Sequence, residues 1–151
     1  MSLLLLEKAI SIATQAHAGQ KDKSGKPYIL HVLRVMMKGR TEDEMICGVL
    51  HDLVEDTNWS FERLKEEGFP PSILEALELV TKKENEAYSD FIKRIAGNDL
   101  AVRVKLNDLE DNMDVRRLNK VTEKDAQRLS KYINAYNYLK SCISQSIRLA
   151  P

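Results

Sequence analysis

The stretch Thr41-Glu-Asp-Glu-Met-Ile-Cys-Gly-Val-Leu-His-Asp-Leu-Val-Glu-Asp56 decides the fold. Thr41 and Glu44 have capping-box spacing, in which each side chain satisfies a backbone N–H that the first helical turn leaves unpaired. Ile46, Val49, Leu50 and Leu53 then recur at helical rather than alternating intervals, so they mark a buried stripe. The pattern predicts one helix running to about Glu55. Inside that apolar helix stand His51 and Asp52, with Glu55 and Asp56 each four residues further on. Such side chains need partners wherever they are buried.

The same periodicity extends in both directions. Leu5, Ala9, Ile12, Ala13 and Ala16 mark the inner face of a first helix that Gly19 stops. A lysine-bearing loop, 19–27, leads to Pro27, which opens a second helix ending near Gly39. Downstream, Ser60 caps a short helix closed by Gly68, and Pro70-Pro71 opens another through Val80. A turn over 82–87 precedes helices over about 89–96 and 98–115, separated by Gly97. A long terminal helix begins near Thr122, where Thr122 and Asp125 form a capping pair, with Leu129, Ile133, Tyr136 and Leu139 as its inner stripe. The expectation is an all-α bundle forming one domain over residues 1–151, with no repeat or linker.

Composition narrows the function classes. Lysine plus arginine equals aspartate plus glutamate at 23 each, so no overall basic field recruits nucleic acid or an anionic membrane. Cys47 and Cys142 lack the paired spacing of zinc or redox motifs and are expected as reduced core residues. Glu7 and Lys8 interrupt Leu3–Leu6 before a signal-peptide core is reached, and no run of about 20 apolar residues follows, so a cytoplasmic protein is expected. Assembly into homo-oligomers is left open.

The chemistry concentrates in few residues. Only three histidines are present, and His31 and His51 both lie in apolar helical segments. In a continuous helix His51 and Asp52 diverge by about 100° around the axis, yet both reach one ion from its edge. Acids crowded at a helix C-terminus oppose its dipole unless a cation compensates. Asp108 follows the apolar stretch Val102-Arg-Val-Lys-Leu-Asn and needs a partner as well. His31, His51, Asp52 and Asp108 make a mixed nitrogen and oxygen set suited to one manganese, iron or zinc ion. His17, in Ala16-His-Ala-Gly-Gln20, is expected as a hydrogen-bonding residue beside the pocket. Trp59, Tyr132, Tyr136 and Tyr138 are expected to pack rather than react. Lys21, Lys23, Lys26 and Lys105 are candidates for offsetting phosphate charge.

Five segments together carry a resemblance: Ala16-His-Ala-Gly-Gln20, Ser24-Gly-Lys-Pro-Tyr-Ile-Leu-His31, Leu50-His-Asp-Leu-Val-Glu-Asp-Thr57, Val80-Thr81 and Lys105-Leu-Asn-Asp-Leu-Glu-Asp-Asn-Met113. Their order and spacing resemble the hydrolase domain of the RelA/SpoT family, which removes the 3′-pyrophosphate of guanosine tetra- and pentaphosphate, (p)ppGpp. The resemblance implies an all-helical HD fold with His31, His51, Asp52 and Asp108 holding one divalent ion, commonly Mn2+. It gives Glu55 and Asp56 the catalytic role, and suggests Lys23, Ser24 and Asn112 as contacts to a small nucleotide substrate. The chain looks like the small stand-alone hydrolases, with no length for a synthetase domain, so it is not expected to make (p)ppGpp. Alternatives are an HD nucleotidase or phosphodiesterase acting on another small nucleotide, and a metal-containing nucleotide sensor without turnover.

The chain departs from the family pattern at four positions. Asp22 stands where the family commonly has an arginine against the base, Val32 replaces a proline, Asn107 an alanine, and Asp111 a histidine or similar residue. A carboxylate cannot stack on a purine as guanidinium does, so weak base preference is expected, with Asp22→Arg lowering KM. Asp111 is expected to add an anion beside the nucleotide-facing Asn112.

Overall fold

The structure, a computed structural model, describes residues 2–149, with side chains described for residues 4–143. Helix α1 (Ser2–Ala16) is followed by α2 (Ile29–Met37), α3 (Glu42–Leu50), α4 (Leu53–Asp56), α5 (Phe61–Glu66) and α6 (Pro71–Val80). Then come α7 (Tyr88–Ile95), α8 (Asp99–Asn112), a 3-10 turn (Val115–Arg117) and α9 (Glu123–Leu149). Among the described residues there is no strand, only an isolated antiparallel bridge between Lys21 and Pro27. The all-α expectation therefore holds.

Helix α3 is the central post, packed against α1, α2, α6 and α8. Its five consecutive residues Ile46, Cys47, Gly48, Val49 and Leu50 are all buried, as in a helix with no solvent face. The capping box at its start is complete: Thr41 Oγ1 accepts from Glu44 N, and Glu44 Oε2 accepts from Thr41 N at 2.9 Å. Gly48 sets how closely α2 crosses α3. A Cβ there would lie 3.0 Å from Met36 Cα, a backbone atom that cannot yield without moving the helix. This close crossing brings the rings of His31 and His51 to 5.2 Å between centroids.

Three expectations need correction. The helix through Thr41–Glu55 is not continuous, because it breaks at His51-Asp52 into α3 and α4. Asp52 has φ −101° and ψ 2°, in the sparsely populated bridge region where active-site residues often sit. The kink removes the 100° divergence of an unbroken helix and turns both side chains to one point. On α9, Ile133 is 43% exposed whereas Ala135 and Leu139 are buried. Apolar character alone selected Ile133; the packed face follows 132, 135, 136 and 139. Finally, α8 stops at Asn112, since Asp114 instead caps the 3-10 turn by accepting from Arg116 N. Cys47 is buried and Cys142 only partly so.

Candidate active site

Four side chains from three places in the chain converge below a cleft of about 640 Å³. His31 comes from α2, His51 and Asp52 from the α3/α4 kink, and Asp108 from α8. His51 Nε2 lies 3.0 Å from Asp52 Oδ2 and 3.2 Å from Asp108 Oδ1, and His31 Nε2 lies 3.5 and 3.1 Å from the same two oxygens. The opposite edge of each imidazole fixes its tautomer. His51 Nδ1 lies 2.7 Å from the Gly48 carbonyl oxygen and His31 Nδ1 2.7 Å from Asp111 Oδ2. Both oxygens only accept, so each Nδ1 carries the proton and donates.

That leaves two Nε2 lone pairs aimed at two carboxylate oxygens, a repulsive arrangement unless a proton or a cation lies between them. For the proton, burial opposes the charged ring but is outweighed by hydrogen bonds to Asp108, Asp111 and Asp52, which push His31 up to about 11. For His51 burial is likewise outweighed by the charges of Asp52 and Asp108, giving about 10. For a cation, two nitrogens and carboxylate oxygens with fixed outer partners are a suitable donor set. His31, His51 and Asp52 can hold a metal ion, their ligand atoms lying within 4.8 Å of one another. Asp108 Oδ1 faces the same two nitrogens.

The carboxylates are themselves anchored. Tyr28 donates its hydroxyl to Asp52 Oδ2, while Asp108 accepts from Lys105 Nζ at 2.9 Å and from Asn112 Nδ2 at 3.0 Å. Burial opposes their ionisation, but Lys105 and His51 hold Asp108, and His51 and His31 hold Asp52, below the usual carboxylate range. Glu55 and Asp56 stand on α4 at the cleft wall, their oxygens grouped with those of Asp52 within 4.8 Å. Partial burial and the Asp52 charge push both above their ordinary values, which suits a group that must hold a proton at some stage.

Lys21, Lys23 and Ser24 line the cleft from the loop, Arg117 from the 3-10 turn and Arg128 from α9, whereas Lys26 is not part of the wall. Lys105 is committed to Asp108 rather than free for a phosphate. His17 is buried as a hydrogen-bonding residue: Nδ1 pairs with Gln20 Oε1 at 2.8 Å, and its ring packs on Tyr28. Gln20 in turn donates to the Asp56 carbonyl, tying the loop after α1 to α4.

Two expectations change here. Asp22 Oδ1 accepts from Ser24 N, Ser24 Oγ and Lys26 N. The carboxylate is the internal clamp of its own loop, not a free anion offered to a base. Asp111 is 3% exposed and takes His31 Nδ1 together with Arg34 and Arg117. It is a neutralised anchor of His31 and not an added charge on the substrate side. Tyr28, Arg34, Arg117 and Arg128 were missed by sequence reasoning. No spacing rule links α2 to the 3-10 turn, and Arg128 looks like any solvated helix charge. Tyr132, expected only to pack, also lines the cleft.

An all-helical bundle with two histidines and two aspartates converging at a broken helix defines an HD-type domain. No protein-family model matches the chain. It is 32% identical over 120 residues to a guanosine-3′,5′-bis(diphosphate) 3′-pyrophosphohydrolase of Aquifex aeolicus, covering 72% of this chain and 17% of that protein. It is 32% identical over 133 residues to the protein of the same name from Haemophilus influenzae, covering 80% of this chain and 20% of that one. Other relatives carry the name GTP pyrophosphokinase. A solved structure described as a metazoan ortholog of SpoT that hydrolyzes ppGpp superimposes with a TM-score of 0.71 at 23% identity, over 94% of this chain and 95% of that one. The chain is thus related in sequence and in fold to the RelA/SpoT-type HD hydrolases. It spans about a fifth or less of the length of these curated relatives.

Proposed function

We propose that this chain is a metal-dependent phosphohydrolase that removes the 3′-pyrophosphate of (p)ppGpp, the stringent-response alarmone, in the cytoplasm. The observation that carries the proposal is the pair of Nε2 atoms facing Asp52 and Asp108 at the foot of a cleft whose lining includes Lys21, Lys23, Arg117 and Arg128. The names of the Aquifex and Haemophilus relatives support the substrate. His31, His51, Asp52 and Asp108 hold the ion, most suitably Mn2+ for two imidazoles and two carboxylates. When bound, such an ion polarises a phosphate oxygen and acidifies water.

The rest is done by the chain's own side chains. Glu55 and Asp56 orient the attacking water and accept its proton. The water oxygen bonds to the phosphorus attached to the 3′-oxygen, the bond from that phosphorus to the 3′-oxygen breaks, and the ribose recovers a 3′-hydroxyl as pyrophosphate leaves. Lys23 and Ser24 meet the nucleotide from the loop. Asn112 gives one amide N–H to Asp108 and keeps a second for substrate. No helix of the described residues is long and apolar enough to cross a membrane.

A second reading, hydrolysis of another small nucleotide, is favoured by one observation: the position expected to meet the base holds Asp22, which is turned into its own loop. A panel of guanosine and adenosine phosphates with Mn2+, scored for pyrophosphate against orthophosphate, tests both. Pyrophosphate from guanosine tetraphosphate supports the proposal; orthophosphate from a different nucleotide supports the second reading.

A further inference from the structure

We infer that Asp111 is a positioning residue for the cation site, setting metal affinity through His31 and linking that ligand to two arginines of the cleft wall. The inference rests on the proposed reading of His31 as a ligand. The position is also one where the chain departs from the family pattern.

The carboxylate of Asp111 is fully engaged. Oδ2 accepts from His31 Nδ1 at 2.7 Å and Arg34 Nη2 at 3.1 Å, and Oδ1 accepts from Arg34 Nε at 2.7 Å and Arg117 Nη1 at 3.4 Å. Arg117 Nη2 also donates to the Asp111 backbone carbonyl at 3.0 Å. Two acceptor oxygens with about four lone-pair sites meet four N–H groups. Three consequences follow for His31. Its Nδ1 proton is held by Asp111, so Nε2 is the ring atom turned to a cation. Its ring cannot rotate, because the carboxylate is itself gripped by a guanidinium fork. Its basicity rises, because the acceptor is an anion rather than a neutral carbonyl. His51, bonded to the Gly48 carbonyl, has the weaker of the two anchors.

An asparagine cannot reproduce this. It has one acceptor oxygen, and its NH2 group would face an N–H of either His31 or Arg34. Facing His31, the clash is relieved by moving the His31 proton to Nε2, the atom the cation needs, or by releasing the ring; facing Arg34, it opens the guanidinium fork that holds the acceptor in place. Loss of an outer partner of this kind weakens metal binding about 10- to 100-fold. Removing Arg117 is different, since Oδ2 keeps its bond to His31 and a positive charge near the cation disappears.

The test is chelator-competition titration of Mn2+ and Zn2+ into the full chain, for wild type, Asp111→Asn and Arg117→Gln, with thermal melts of each metal-free protein. The expected result is metal binding weakened at least tenfold in Asp111→Asn and at least as tight as wild type in Arg117→Gln. Affinities within twofold of wild type in a folded Asp111→Asn overturn the inference and leave the metal site standing. No metal bound by wild type overturns the metal-site reading itself. If Asp111→Asn does not fold, 15N spectra of Zn2+-loaded wild type decide: protonation of His31 at Nδ1 is expected, and protonation at Nε2 overturns the inference.

Discussion

Metal binding should expel protons in a number the structure sets. His31 and His51 are pushed up to about 11 and about 10 by the carboxylates they face, so both rings are charged in metal-free protein at neutral pH. A cation bound through both Nε2 atoms must displace both protons. Binding at pH 8 should therefore release about two protons per ion, whereas two histidines at the ordinary value of about 6.5 would release almost none. The apparent association constant should rise about 100-fold per pH unit between pH 7 and 9, or about 2.7 kcal/mol. Calorimetric titration of chelator-stripped protein in two buffers of different ionisation enthalpy reads the proton count directly. Release near zero at pH 8, with the ion bound, would refute the claim that the facing carboxylates keep both rings charged in the metal-free protein.

The same shifts predict stability. Because both histidine values are raised on folding, their contribution to the metal-free protein is present below about pH 6.5 and lost as pH rises toward 10 and 11, so its melting temperature should decline over that window. Glu55→Gln or Asp56→Asn should keep metal content and melting temperature while lowering kcat about 100-fold or more, and unchanged rates would remove both from the mechanism. Asp22→Arg should raise KM rather than lower it, because three hydrogen bonds that fold the loop are lost; a lower KM would place residue 22 against the base. Gly48→Ala should destabilise by about 1–3 kcal/mol in denaturant melts and weaken metal binding together, since its Cβ would press on the α2 backbone that carries His31.

Much of this was legible from local rules. The Thr41–Glu44 box, the Ser60 and Thr122 caps and the Gly68 stop depend on neighbours within a turn, and each helix they bound begins or ends within a few residues of expectation. The convergence of His31, His51, Asp52 and Asp108 was anticipated because ionisable groups in apolar helices demand partners. What escaped the sequence was tertiary. The kink at Asp52 is a backbone choice that leaves no compositional trace, since neither glycine nor proline stands there. Asp111 looked like a free anion because its partners Arg34 and Arg117 belong to elements far along the chain or beyond its helix. Asp22 stood beside the base only through the family pattern, whereas its carboxylate takes the local N–H groups of Ser24 and Lys26, a turn habit of aspartate that the resemblance overrode.

The most direct test of the central claim is pyrophosphate release from guanosine tetraphosphate by chelator-stripped protein before and after adding Mn2+. The account predicts no turnover in the stripped protein and stoichiometric pyrophosphate with guanosine 5′-diphosphate after add-back, abolished in Asp52→Ala and Asp108→Ala. Turnover that persists without metal, or orthophosphate as the product with metal present, would contradict it.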